Sequence, residues 1–399
     1  MRISSHQIFA NATANLSRIQ TDLARTQNQI ATGDRIARPS EDPAATSGIL
    51  RLQDSQARLD QYQKNSDYAQ SRLGLEDSSL NAVDNIMQRI RELALQADNG
   101  TLNASDRQDI RAEIQQHLDS LLQISNTQDS NGEYIFAGSR GHTQPFIANA
   151  AGGFLYNGDS GQRLVQIGDG RRIAISDPGS GVFRDIRVGN GTFGVAADAA
   201  NTGTGVISNG TVTNPAAWVP DTYTITMTAG TSTTYEVRNV ANTLLSSGTY
   251  QSGAAISFNG IVVDIKGVPA NGDRYTIAPA ANRDLLTTVQ NLANTLDGKG
   301  TGTSSTAITQ QLNIAIGDLD QSFNHILEKR THIGSRLNAL DSESNMNKDL
   351  SLQLQSSLST LKDTDFAAAA LHLNQQLTAL QAAYLSFSQI QRLSLFNSL

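Results

Sequence analysis

Apolar side chains recur at alternating steps of three and four residues near both ends of the chain. The N-terminal stripe consists of Phe9, Ala12, Leu16, Ile19, Leu23, Thr26 and Ile30, and the C-terminal stripe of Phe366, Ala370, Leu373, Leu377, Leu380, Tyr384 and Phe387. This spacing predicts two helices, each with one narrow apolar stripe of the kind that forms a coiled-coil seam. Full burial of a Leu, Ile or Phe side chain contributes roughly 1.5–3 kcal/mol, so neither stripe is expected to stay in water. We therefore predict that the two ends pair with each other, with further copies, or with another protein.

Two longer regions further inside the chain show the same helical period. Asp42 followed by Pro43 predicts a helix start, and Asn99-Gly100 predicts a break before a second start with a capping box at Ser105 and Gln108. The first of these helices carries the stripe Val83, Ile86, Ile90, Leu93 and Ala97. After residue 282 the period returns with one miss, at Arg330, in the stripe Leu312, Ile316, Leu319, Phe323, Ile326, Ile333, Leu337 and Leu340.

Between about residues 143 and 280 the pattern changes to short alternating runs separated by turn signals. The runs at 163–167, 223–227 and 261–265 read as strands, and Asn-Gly pairs begin at 157, 259 and 271. Such a pattern predicts a small all-β domain made of hairpins. The stretch from Ala196 to Pro220 has few large apolar side chains, and we predict a long loop there.

Together these patterns predict an α+β multidomain protein: an elongated helical bundle or coiled coil formed by both chain ends, with an inserted all-β domain. We predict a terminal coiled-coil assembly domain from residues 1–40 and 363–399. A helical rod domain would comprise residues 41–142 and 281–362, and an outward-facing β-rich domain residues 143–280. This out-and-back chain path brings the two termini to the same place, as the pairing of the two stripes requires.

The composition narrows the possible functions. Only 17% of the 399 residues are charged and the net charge is −7, so no basic surface for nucleic acid is expected. The chain has no cysteine, which excludes disulfides and thiolate metal sites. It has no apolar run of membrane-spanning length, and its first residues lack the apolar segment of a secretory signal peptide. From residue 366 to 399 the only charged side chain is Arg392, so we expect neighbours to cover the outer face of this helix as well.

Three short matches to chemical motifs are better explained by turns and helix faces. Residues 158–161, GDSG, resemble the surroundings of a catalytic serine, but no His–Asp partnership accompanies them. Residues 189–194 match G-x-G-x-x-G without a clear following helix or a later acidic residue. His325 and His332 are seven residues apart, whereas metal ligands on one helix lie three or four apart. We predict no catalytic, cofactor-binding or metal-binding residue.

Several segments resemble the flagellin-related axial proteins of bacteria. They are residues 29–45 (QIATGDRIARPSEDPAA), 132–138 (GEYIFAG), 258–263, 267–275 and the C-terminal LSLFNSL at 393–399. The residues that match the family's N-terminal loop are Gly33, Pro39, Ser40, Asp42 and Pro43. The two prolines that flank Ser-Glu-Asp are closer to the hook–filament junction members of the family than to flagellin.

The resemblance implies a non-enzymatic structural subunit of the flagellum, in a junction ring between hook-associated protein 1 and the flagellin filament or its cap protein. It implies contacts with those proteins, with copies of the chain itself and with a flagellar export chaperone, but none with nucleic acid or membrane. It also implies secretion through the flagellar type III apparatus without a cleaved signal. The predicted assembly seam is Phe9, Leu16, Ile19, Leu23 and Ile30 at one end, and Phe366, Leu373, Leu377, Leu380, Tyr384 and Phe387 at the other.

Two alternatives remain open at this point. The chain could be an atypical flagellin that forms the filament itself. It could also be a carbohydrate-binding or hydrolytic protein that uses the β domain, in which case paired carboxylates and aromatic side chains should line a cleft. The chain's one tryptophan, Trp218, lies in the predicted loop.

Overall fold

The computed structural model describes residues 5–100, 102–149, 152–297 and 304–396. The end of the predicted C-terminal motif, Asn397-Ser398-Leu399, lies outside them. The chain folds into two compact units, one formed by residues 1–64 and 342–399 and the other by residues 65–341. The finer division into an assembly domain, a rod domain and a β domain stays a prediction.

The described residues form helices at both ends of the chain, as predicted: α1 (Ser5–Thr32), α2 (Pro43–Ala97), α3 (Ala104–Ser125), α4 (Leu285–Leu296), α5 (Ser305–Lys362) and α6 (Phe366–Phe396). Helix α2 starts at Pro43, and the Asp42 carboxylate accepts a hydrogen bond from Ala45 N at 2.9 Å. The predicted capping box of α3 was placed two residues too late. Asn103 caps this helix, and Asp106 returns a bond to the Asn103 N–H at 3.0 Å.

The strands lie between α3 and α4, and they are short. They are β1 (Phe146–Ala148), β2 (Phe154–Tyr156), β3 (Leu164–Gly168), β4 (Arg171–Ala174), β5 (Ile186–Arg187), β6 (Phe193–Ala197), β7 (Val206–Ile207), β8 (Thr211–Val212), β9 (Tyr223–Thr228), β10 (Thr234–Asn239), β11 (Leu244–Thr249), β12 (Ala255–Phe258), β13 (Ile261–Lys266), β14 (Arg274–Pro279) and β15 (Asn282–Arg283). All of their pairings are antiparallel. The fold class predicted from the sequence is therefore confirmed.

The larger sheet has the strand order β11-β10-β9-β14-β6, and a second sheet has the order β12-β13-β7 with β8 also on β13. The expectation of a long loop from Ala196 to Pro220 was wrong. This stretch includes the end of β6, the two-residue strands β7 and β8, and a 3₁₀ turn at Pro215–Ala217. Strands of two residues are too short to show an alternating pattern, and their pairing with β13 depends on residues some 50 positions later in the chain.

The unit formed by residues 65–341 contains two apolar cores. One joins α2, α3, α4 and α5 with the first hairpins, and the other lies between the two larger sheets. The buried residues of the α5 stripe follow a seven-residue repeat: Leu312, Leu319, Ile326, Ile333 and Leu340. The miss at Arg330 has a clear cause, because its guanidinium pairs with Asp77 at 3.1 Å and with the buried Asp84 at 2.7 Å.

Side chains of α5 hold the strand β7 through its backbone. Gln310, which is 2% exposed, accepts a hydrogen bond from Ile207 N at 2.7 Å and donates one to Ile207 O at 3.1 Å. Two residues further on, Asn209 Nδ2 donates to Asn313 O at 2.9 Å. A Cβ at Gly317 would lie 2.2 Å from Asn209 Nδ2, so a glycine is needed for this close approach. The amide of Gln310 therefore completes the hydrogen bonds of a strand residue.

Replacing Gln310 with alanine should destabilise this unit by about 2–4 kcal/mol, because it leaves a buried N–H and a buried C=O without partners. Urea unfolding followed by the fluorescence of Trp218 would measure the change. The neighbouring half-buried Gln311 offers a matched control, and its replacement with alanine should cost about 0.5 kcal/mol or less. Equal losses in the two variants would contradict the role given to Gln310.

Candidate assembly site

The predicted stripe of α1 faces α6. Phe9, near the start of α1, places its ring 5.0 Å from that of Phe387, near the end of α6. Gln20 donates to the hydroxyl of Tyr384 at 2.9 Å. The two helices therefore run antiparallel. On α1 from residue 9 to 28, only one set of side chains is not exposed, and all of its members belong to the predicted stripe: Ala12, Leu16, Ile19, Leu23 and Thr26. Ile30, the last member of that stripe, is half-buried, while Phe9 is 43% exposed.

The less exposed face of α6 differs from the predicted stripe at four of the seven predicted positions. The less exposed residues are Ala369, Leu373, Gln376, Leu380, Ala383 and Phe387. Leu373, Leu380 and Phe387 belong to both sets. In contrast, Phe366 is 58% exposed, Leu377 is 39% exposed and Tyr384 is 48% exposed, and Ala370 is also exposed.

The predicted stripe and the set of less exposed residues both follow the helical spacing. They share Leu373, Leu380 and Phe387 and differ in the residues between these three. From Leu373, a step of three leads to Gln376 and a step of four leads to Leu377, and the two positions are about 100° apart around the helix. In a sequence pattern Leu377 is favoured over Gln376 as the seam residue because its side chain is large and apolar. In the structure the small side chains of Ala369 and Ala383 are among the less exposed ones of α6. Four of the seven residues of the predicted C-terminal stripe therefore lie outside the less exposed face.

The exposed side of α6 has no Lys, Arg, Asp or Glu from residue 366 to 389, and it carries large apolar side chains among small and polar ones. Besides Leu377 it includes Leu371, which is 59% exposed, and Leu385, which is 71% exposed. We call Leu371, Leu377 and Leu385 the α6 outer face. Leu371 and Leu385 were not singled out from the sequence, although their freedom from any neighbouring Lys, Arg, Asp or Glu between 366 and 389 was visible there. Large apolar side chains exposed close together are typical of an interaction surface.

The loop that follows α1 is fastened to the segment before α6. Gly33 adopts φ +78°, a left-handed conformation that favours glycine, and donates to Gln29 O at 2.9 Å as it ends the helix. Its carbonyl accepts from Thr364 N at 2.8 Å. Arg35 N donates to Lys362 O at 2.7 Å, and the Arg35 guanidinium donates to Leu361 O. These bonds join the segment after α1 (residues 33–35) to the segment before α6 (residues 361–364).

The remaining residues of the predicted family loop have different roles in the structure. Asp42 caps α2, and Pro43 is its first residue. Pro39 and Ser40 are exposed. Between them and the cap, the Glu41 carboxylate accepts from Ala37 N at 3.2 Å and so closes the loop on itself. Gly33 therefore ends α1 and Asp42 caps α2, whereas Pro39 and Ser40 lie at the surface.

The three motif matches have structural explanations. The Asp159 carboxylate accepts from Ser139 N and Gly161 N, which orders the turn at 158–161 and lowers the pKa of Asp159. Gly189 N donates to Asp318 at 2.6 Å. His325 contacts Gly181 O at 2.9 Å, and its burial lowers its pKa. Among the described residues, no three His, Asp or Glu side chains form a group that could hold a metal ion.

Trp218 covers the core between the sheets. Its ring lies 5.6 Å from that of Phe193 and 5.8 Å from that of Tyr223. This packing accounts for the tryptophan without a sugar ligand. Within the ranges that the structure describes, no helix is both long enough and apolar enough to cross a membrane.

Comparison with known protein families defines the class of the chain. The family model of the bacterial flagellin N-terminal helical region matches residues 3–140, and that of the bacterial flagellin C-terminal helical region matches residues 316–399. The model of the D3 domain of flagellar hook-associated protein 1 matches residues 215–279. The class is thus that of flagellin-related proteins, with paired terminal helices and an inserted β-rich region.

Full-length relatives narrow the class further. The chain is 26% identical to flagellar hook-associated protein 3 of Escherichia coli K12, over 99% of both proteins. It resembles the crystal structure of flagellar hook-associated protein 3 from Legionella pneumophila with a TM-score of 0.75 and 35% identity, over 78% of this chain and 98% of that one. It also resembles the crystal structure of the flagellar junction protein FlgL from Legionella pneumophila. The TM-score is 0.68 and the sequence identity 36%, over 74% of this chain and 99% of that one. The chain belongs to the flagellar hook-associated protein 3 family, whose members are structural components of the bacterial flagellum.

Proposed function

We propose that this chain is a non-enzymatic subunit of the ring that joins the hook to the filament of the flagellum. The observation that carries this proposal is the α6 outer face, which stays exposed after α1 has covered the opposite side of the helix. The full-length match to flagellar hook-associated protein 3 supports the junction, since the flagellin models match only the two helical ends.

Assembly follows from the arrangement of the terminal helices. A ring or helix of identical subunits needs two different faces on each subunit. The α1–α6 pair offers the α6 outer face on one side and the polar, charged outer side of α1, with Arg18, Asp22 and Arg25, on the other. Copies of this chain would cover the α6 outer face within the ring. Hook-associated protein 1 would lie on the hook side, and flagellin or the filament cap protein on the other.

Secretion through the flagellar type III apparatus is part of the same proposal. The α6 outer face would expose apolar surface in the cytoplasm before assembly and would favour unspecific association there. A flagellar export chaperone that binds α6 would prevent this. The protein would then reach the tip of the growing hook without removal of a signal peptide.

Deletion of the gene should test the junction role directly. Cells that lack the protein should complete their hooks, fail to retain filaments and release unpolymerised flagellin into the medium, because flagellin would have no surface on which to assemble. Electron microscopy of the hooks and immunoblots of the medium would measure both effects. Filaments of normal number and length in the deletion strain would contradict the junction role and favour the alternative of an atypical flagellin.

A further inference from the structure

A carboxyl group lies buried where α2, α5 and the segment after β4 meet. Glu76 of α2 is 1% exposed, and its Oε1 accepts a hydrogen bond from Asp177 N at 3.1 Å. Its second oxygen, Oε2, has no hydrogen-bond donor among the described residues. A carboxylate in such a place would keep a full negative charge out of water with one of its oxygens unpaired, at a high cost in free energy.

The charged groups that act on Glu76 are Asp177, Arg336 and Arg72. Asp177 lies on the segment after β4, and its carboxylate pairs with Arg336 of α5. Arg72 lies one turn before Glu76 on α2 and pairs with Asp129 and with Glu133, the latter at 3.2 Å. Glu133 also binds Arg163 at 2.7 Å.

The two arginines that act on Glu76 already have carboxylate partners. Arg336 pairs with Asp177, and Arg72 pairs with Asp129 and Glu133. Glu76 Oε2 has no donor among the described residues. Burial without such a partner favours the neutral acid.

We propose that Glu76 is a proton-operated latch, whose neutral carboxyl holds α2 against the segment after β4, and whose ionisation loosens that contact. When the segment around Asp177 moves away, water reaches the carboxyl and takes up its proton. Opening and deprotonation are then linked, so each favours the other. The chemical step is only the transfer of one proton from the carboxyl to water.

The pH range follows from the difference between the closed and the open state. Burial, followed by the negative charge of Asp177, raises the pKa of Glu76 from 4.5 to about 8 in the closed state. In the open state the carboxyl is in water and its pKa is close to 4.5. The closed state therefore holds one more proton than the open state between these values, and it is favoured less as the pH rises. Opening should increase about tenfold per pH unit across this range and become constant above it.

Hydrogen–deuterium exchange of the full chain would test the latch. In the wild type, the protection of amides in residues 164–180, compared at equal intrinsic exchange rate, should fall about tenfold per pH unit from pH 5 to 8. Glu76→Gln keeps the acceptor for Asp177 N and cannot ionise, so its protection should not change over that range. At pH 9 the variant should be protected at least a hundredfold better than the wild type.

Glu92→Gln is the matched control, since Glu92 lies on the same helix with a largely exposed side chain. It should reproduce the wild-type profile. A difference between wild type and Glu76→Gln that stays constant from pH 5 to 9 would overturn the proposal, because Glu76 would then not titrate there. Failure of Glu76→Gln to fold at pH 6 would also overturn it, because a neutral side chain would then not suit this site.

Discussion

Replacing both Leu371 and Leu385 with aspartate should abolish assembly and leave the soluble protein folded. The side chains are 59% and 71% exposed, so in the free chain the new carboxylates would remain in water at little cost. In the ring they would be covered by a neighbouring subunit, and the desolvation of unpaired charges costs several kcal/mol each. Circular dichroism would check the fold. Complementation of the deletion strain, scored as filaments per cell by electron microscopy, would measure assembly.

The double variant Val240→Asp with Val268→Asp is a matched control in the β-rich region. These valines are 72% and 74% exposed, so the same number of charges is added to equally exposed aliphatic positions. This control should restore filaments. The Leu371 and Leu385 variant should still appear in the medium, which would separate a defect in assembly from one in export. Normal filaments with that variant would show that the α6 outer face is not needed in the ring.

Replacing Arg72 with alanine should lower the free energy of unfolding by about 3–5 kcal/mol. The Arg72 side chain is 2% exposed and binds two carboxylates, those of Asp129 and Glu133. Its removal leaves both anions in a poorly hydrated site, and this usually costs more than the pair contributes. Urea unfolding at pH 7, followed by circular dichroism at helical wavelengths, would measure the loss.

Arg89 provides the comparison on the same helix. It also binds two carboxylates, Glu113 at 2.8 Å and Glu92 at 3.1 Å, but its side chain is 47% exposed. Its replacement with alanine should leave the free energy of unfolding nearly unchanged, because all three groups stay in water. If the two alanine variants were equally stable, burial would not govern the strength of these pairs.

The apolar period of the sequence predicted all the long helices and most of their buried faces. On α1 the positions from Ala12 to Ile30 of the stripe are less exposed than most of the helix, whereas Phe9 is 43% exposed. On α6 two neighbouring sets of residues both fit the helical period. The pattern favoured Leu377 as the seam residue, whereas in the structure Gln376 and two alanines are less exposed. The choice depends on how the two helices pack, which no local pattern contains.

The buried polar groups could not be predicted from the sequence at all. Glu76, Arg72 and Gln310 look like ordinary residues of an exposed helix face. They are buried because residues 57 to 103 positions away supply their partners: Asp129 for Arg72, Asp177 for Glu76 and Ile207 for Gln310. Similarly, the two-residue strands β7 and β8 exist only because β13 pairs with them.

The sequence by itself determined the class of this protein. Helical period at both ends and alternation in the middle were sufficient for the fold class, and the resemblance of the segment from Gly33 to Pro43 indicated the flagellar family. Local spacing carries this information, since helices and strands repeat at different intervals. Only the tertiary structure decided which side of α6 meets α1, which side stays exposed and which carboxyl is buried with one oxygen that has no hydrogen-bond donor. Those outcomes depend on contacts between segments that are far apart in the chain.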